Sequence, residues 1–130
     1  MPLIEHRAED HRVVRRVGAH GIVVDEREFS ASLVLAPDAA LTDFPPTRVE
    51  ELDEPALAAV LALEPALVLL GTGERQVFPA QSVLAAFLRR GIGIEAMDNA
   101  AAARTFNLLA AEGRRVVAVF LLPAKAPTPL

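Results

Sequence analysis

Two short segments without polar residues place the strongest constraint on the fold. Residues 66–70 read ALVLL and residues 116–122 read VVAVFLL, so neither segment has a polar side that could face water. Strands of this kind are normally buried on both faces, and they belong to parallel or mixed sheets that helices cover from two sides. We therefore expect a layered α/β fold in which these two segments are central strands.

Helix signals separate these strands from one another. A proline at the start of residues 54–63 predicts a first helix, because proline at the first helical position loses no intrahelical hydrogen bond. A second helix is predicted from Pro79 to a stop at Gly91, followed by a strand over residues 92–96. A third helix is predicted over residues 98–112. Helix and strand therefore alternate three times after residue 54.

Apolar stripes indicate which sides of the second and third helices face the core. In the second helix the stripe consists of Val83, Leu84, Phe87 and Leu88. In the third helix it consists of Ala102, Phe106, Leu109 and Ala110.

The first third of the chain has a strand pattern. Residues 22–24 are β-branched and residues 29–35 alternate, with a polar turn at 25–27, which predicts an antiparallel hairpin. Residues 37–53 contain a Pro-Pro pair and many turn-forming residues, and they predict a connecting loop. The predicted fold is a compact three-layer α/β domain: an N-terminal β-hairpin followed by αβαβαβ, with a small, mostly parallel central sheet.

The predicted domain boundaries follow from this pattern. We expect a flexible N-terminus over residues 1–12, a single α/β domain over 13–122 and a flexible proline-rich tail over 123–130. Neither side of the loop could bury enough apolar surface to fold alone, so no boundary is placed within it.

Composition excludes several classes of function. The chain of 130 residues has no cysteine, and its formal net charge of −4 gives no basic field for nucleic acid. The apolar runs are far shorter than the roughly 20 residues that span a bilayer, and no signal peptide is recognised. We therefore expect a soluble cytoplasmic protein that neither inserts into a membrane nor binds nucleic acid. The spacing of His6, His11 and His20 fits no zinc motif, so no metal or cofactor is predicted.

Two predicted loops meet where parallel strands should end. Gly71, Thr72 and Gly73 follow one strand, and Met97 and Asp98 follow the next. Ligands of open parallel sheets bind at this margin, and glycines let the backbone approach a small anion. The alternative, which we favour, is a tight turn, because the motif lacks the lysine of a P-loop and an acidic residue follows it.

Three polar residues of the third helix complete the candidate set. Asp98 is interpreted as an N-cap in preference to an acid or base, because the sequence shows no cleft that would shift its pKa. Arg104 could contact a ligand bound near Asp98 at the predicted margin. Asn107 is unfavourable within a helix, and two explanations are open: a hydrogen bond to a neighbouring segment, or exposure to water.

A set of short motifs resembles those of a known family. The motifs are the turn at 71–73, Pro79, Gly91, Met97-Asp98, residues 104–109 and residues 112–115. On these motifs the chain is similar to the superfamily of mitochondrial complex I assembly factor 3 and the adipogenesis-associated domain protein, which includes uncharacterised bacterial and archaeal members. In this sequence, Phe44 stands where tryptophan is expected, and Asn99 where threonine is common.

The resemblance implies a three-layer α/β domain and no activity, because the family has no established catalytic residues and its best-understood member acts through protein contacts. We therefore expect a non-catalytic interaction or assembly factor with an unidentified protein partner. The alternative is a binding protein or enzyme for a small anion at the predicted margin. A homodimer is also predicted, because the N-terminal hairpin would leave an unpaired strand edge.

Overall fold

The computed structural model describes residues 11–124, which form two sheets and three helices. Most of both predicted flexible ends, including His6, lies outside the described residues. The strands, in chain order, are β1 (Val14–Val17), β2 (Ile22–Val24), β3 (Arg27–Phe29), β4 (Leu33–Ala36), β5 (Ala39–Leu41), β6 (Leu67–Gly71), β7 (Gly93–Met97) and β8 (Val116–Phe120). The helices are α1 (Glu54–Leu61), α2 (Gln81–Leu88) and α3 (Asn99–Ala111).

The central sheet has five strands in the order β5-β4-β8-β6-β7. β6 pairs in parallel with both β7 and β8, as its apolar sequence predicts. β4 runs antiparallel to β8 and to β5, so β4 alone opposes the direction of the other strands. This confirms the predicted mixed α/β class with a mostly parallel sheet.

Two apolar cores lie on opposite faces of this sheet. Along β8, Val116, Ala118 and Phe120 face one core, whereas Val117 and Val119 face the other. The first core is covered by α3 and by the small sheet β1-β2-β3, and the second by α1 and α2. The domain therefore has three layers.

The N-terminal segment differs in part from the expected hairpin. β2 and β3 form an antiparallel pair as expected, but Arg27 belongs to β3, and β1 adds a third strand. The alternating run over residues 29–35 was wrongly interpreted as one strand. It breaks over residues 30–32, and β4 begins at Leu33 in the other sheet. The buried hydroxyl of Ser32 bonds the main chain of Leu122.

Two other local expectations were wrong. The predicted loop 37–53 contains β5 and a short 3-10 helix (Val49–Glu51). β5 forms because Ala39–Leu41 pairs with β4 despite its weak strand pattern. Leu88 is 60% exposed instead of buried, because the α2 face that packs on the sheet consists of Val83, Ala86 and Phe87.

Candidate functional site

The carboxyl ends of three parallel strands meet at one margin of the central sheet, here called the carboxyl edge. Gly71 at the end of β6 is aligned with Met97 of β7 and with Phe120 of β8. The loops that follow β6 and β7 therefore lie side by side. The structure brings together five of the seven predicted residues: Gly71, Thr72, Gly73, Met97 and Asp98.

The polar groups of Thr72 are used within the loop. Its N–H donates to the Met97 carbonyl at 2.9 Å, and its hydroxyl lies 2.5 Å from the carbonyl oxygen of Arg75. The hydroxyl oxygen also accepts from the Val77 N–H at 3.0 Å. Gly73 completes the turn with a φ of 106°, which glycine adopts without strain. The residues after β6 thus form the tight turn that the sequence favours.

Asp98 caps α3, as predicted. Its carboxylate accepts a hydrogen bond of 2.7 Å from the N–H of Ala101. The N–H of Asn99 donates to the Gly73 carbonyl at 2.8 Å, so a second donor of the first turn is also paired. Two donors at the positive end of this helix are therefore paired with the chain's own oxygens.

Asn99 joins the ends of β6 and β8. The sequence placed it at this margin but not among the candidate ligand residues. Its side-chain oxygen accepts from the Gly73 N–H at 3.2 Å, and its amide nitrogen donates to the Leu121 carbonyl at 3.0 Å. The residue is only 2% exposed. Gly71 makes room for it, because a Cβ there would overlap the Asn99 side-chain oxygen and lie 2.8 Å from the Val119 carbonyl. The sequence signal for this close packing was a glycine at the end of an apolar strand.

The other two predicted residues lie away from these loops. Asn107 donates to the Val14 carbonyl and accepts from the Val14 N–H, each at 2.9 Å, so it holds β1 against α3. This decides between the two explanations that were open for Asn107. Arg104 is exposed, six residues along α3 from Asp98, or about 9 Å of helical rise. A ligand role for either residue stays a prediction.

An open cleft of about 560 Å³ lies beside Gly73. It is bounded by the turn between β1 and β2 and by the segment around the 3-10 helix, both of which the sequence left without a role. Acidic and basic groups are mixed in it, so its charge favours neither an anion nor a cation. Its polar side chains are His20, Thr47, Arg48, Glu51, Thr72 and Glu74.

Glu51 is the acidic group of this cleft with a shifted pKa. It accepts hydrogen bonds from the N–H and the hydroxyl of Thr47, at 2.8 and 3.0 Å, and these lower its pKa below the ordinary value. The Arg48 guanidinium, 3.8 Å away, acts in the same direction. Glu51 is therefore an ionised carboxylate that is already paired.

Neither a metal centre nor a membrane span is found in the described part of the chain. Across residues 11–124, no three His, Asp or Glu side chains are grouped so that they could hold a metal ion. No helix in the same range is long and apolar enough to cross a membrane.

These features define a small α/β domain whose carboxyl edge is held together by its own hydrogen bonds. The model of the family described as a protein of unknown function (DUF498/DUF598) matches residues 14–121. The chain belongs to this family.

Solved structures share the whole fold. A protein of Xanthomonas campestris, determined by NMR, is 43% identical, with a TM-score of 0.82 over 99% of this chain and 98% of that one. A Bordetella pertussis protein described as an Mth938-like domain is 31% identical, with a TM-score of 0.76 over 93% and 92% of the two chains.

Two curated relatives are similar over shorter regions. Human NADH dehydrogenase [ubiquinone] 1 alpha subcomplex assembly factor 3 is 36% identical over 83 residues, which cover 62% of this chain and 45% of that protein. The 13 kDa major membrane protein of Francisella tularensis is 29% identical over 73 residues, covering 56% and 59% of the two. The chain spans about half the length of these relatives.

Proposed function

We propose that this protein acts through contacts with another protein, as a non-catalytic interaction or assembly factor. The observation that carries the proposal is an exposed apolar pair in the loop between β6 and α2. Phe78 is 73% exposed and its neighbour Val77 is 41% exposed. Aromatic side chains are enriched in protein interfaces, where they supply much of the binding free energy.

The loop that carries this pair is anchored at several points. Thr72 bonds the main chain of both Arg75 and Val77, and the Gln76 side chain donates to the Ala96 carbonyl at 2.8 Å. The backbone that presents the apolar pair is thus held before any partner arrives. A preformed surface loses less conformational entropy on binding, which favours an interface.

The human relative supports the same class of function, since its name describes an assembly factor. The alternative, a small anionic ligand or substrate at the carboxyl edge, has weaker support. Asp98 and Glu74 bring negative charge to that edge, and the donors around Asn99 are already paired.

The proposal is tested by affinity capture from extract of the source cells after mild crosslinking. We expect the wild-type chain to enrich a defined protein, and the variant Phe78→Ser to lose it. The matched control is Leu108→Ser, because Leu108 is 61% exposed on α3, on a different part of the surface. Equal capture by all three proteins would contradict the proposal.

A further inference from the structure

The outer side of β7, here called the lateral edge, is an open end of the central sheet. Within residues 11–124, β7 is last in the strand order and pairs with β6 alone. Open strand edges carry backbone donors and acceptors that can pair with another strand, so they mark sites of strand addition.

The hydrogen bonds between β6 and β7 show which backbone groups of β7 point away from the sheet. The Met97 carbonyl accepts from the Thr72 N–H, so the backbone N–H and carbonyl of Met97 point toward β6. Backbone groups alternate in direction along a strand, so those of Glu95 and Gly93 also point toward β6. The backbone groups of Ile94 and Ala96 therefore face away from the sheet. Gln76 bonds the Ala96 carbonyl from that side, which agrees with this assignment. Within residues 11–124, the other outward groups of these two residues have no partner.

Glu95 gives this edge a charge. Its side chain is exposed, and its register partner Leu69 belongs to the core beneath α3. α3 packs over β6 and β8, and on the same face of β7 Met97 packs against the core, whereas Glu95 stays exposed. No basic side chain of the described segment forms an ion pair with Glu95.

We propose that the lateral edge binds an extended segment of another protein as an additional strand, with a lysine or arginine beside Glu95 and apolar side chains toward Val77 and Phe78. This inference rests on the proposed function and names the kind of partner. Backbone bonds to the outward groups of Ile94 and to the Ala96 N–H would hold the segment, and Glu95 would select its charge.

A second copy of the chain fits this edge poorly. An antiparallel β7 pair that uses both Ile94 and Ala96 aligns Glu95 with Glu95 of the other copy. Like charges directly opposite each other destabilise a strand pair. Charge complementarity thus favours a basic segment of a different protein.

The test selects binders from a phage-displayed library of random peptides on the immobilised chain. We expect alternating apolar residues with a lysine or arginine among the enriched peptides. Ile94→Pro removes an outward N–H and no bond to β6, and it should weaken these peptides about tenfold or more. Glu95→Lys should reverse the charge preference, whereas Glu112→Lys, an equal charge change at the end of α3, should not.

The two proposals fail in distinguishable ways. If Phe78→Ser abolishes partner capture while Ile94→Pro and Glu95→Lys leave both capture and peptide selection unchanged, strand addition is wrong and the interaction function stands. If none of these variants changes capture, both are wrong. A dimer in light scattering that Ile94→Pro converts to a monomer would also overturn the inference, because the occupant would be a second copy. Thermal unfolding confirms that each variant is folded.

Discussion

The carboxyl edge and the lateral edge of the central sheet differ in whether their polar groups have hydrogen-bond partners within the described chain. At the carboxyl edge, a single buried side chain, Asn99, joins two strand ends, and Asp98 caps the helix between them. At the lateral edge, the outward backbone groups of Ile94 have no partner within the described chain. Buried polar groups must be paired within the protein, whereas groups at a solvent-facing edge can bond to water until a partner binds. We therefore place the proposed binding site at the lateral edge.

The largest difference between the two edges is expected for glycine substitutions. Gly71→Ala places a Cβ against the Asn99 side chain and the Val119 backbone, and it should destabilise the protein by about 2–3 kcal/mol. In Gly93→Ala on β7, the new Cβ meets only the flexible end of Leu67 at 3.3 Å, so the change should stay within about 1 kcal/mol. Urea unfolding measures both. Equal losses would show that the carboxyl edge is not tightly packed.

A smaller effect is expected for removal of the buried amide. Asn99→Ala leaves the Leu121 carbonyl and the Gly73 N–H without their side-chain partner, which should cost about 2 kcal/mol. Gln76→Ala removes one hydrogen bond at the solvent-facing lateral edge and should cost about 0.5 kcal/mol or less. Thermal and urea unfolding compare the two variants. A larger loss for Gln76→Ala would reverse the contrast between the edges.

The smallest effect concerns the cleft beside the carboxyl edge. The hydrogen bonds from Thr47 lower the pKa of Glu51, so they stabilise the fold above the ordinary glutamate pKa, and this contribution is lost as the pH falls through the lowered value. Thr47→Val keeps the N–H but removes the hydroxyl, and it should raise the pKa of Glu51 partway toward normal. Carboxyl NMR shifts measured against pH test this. Thr105→Val, on α3, should leave the titration of Glu51 unchanged.

Local patterns predicted the elements whose cause is local. The apolar run at 66–70, the cap at Asp98 and the helix over 98–112 depend on burial period and on residues a few positions apart. The structure has the strand as Leu67–Gly71 and the helix as Asn99–Ala111. β5 was missed because Ala39–Leu41 has little strand character, and it forms only where β4 offers an edge.

The candidate site was predictable only in part. Gly71 and Asp98 could be placed at one margin, because the carboxyl ends of parallel strands meet there. The turn that carries His20 and the helix that carries Glu51 reach the same margin through long-range packing. No sequence spacing indicates that approach.

The sequence alone determined the class of fold, the presence of two buried apolar strands and the position of the helices, because side-chain period and capping are short-range properties. Only the tertiary structure decided the strand order, the hydrogen bonds between Asn107 and Val14, which are 93 residues apart, and the hydrogen bond from Asn99 to Leu121. An apolar strand can pair with any other, and a polar side chain has many candidate partners. The choice among them is made by the packing of the whole chain, and within residues 11–124 it leaves the outer side of β7 without a strand partner.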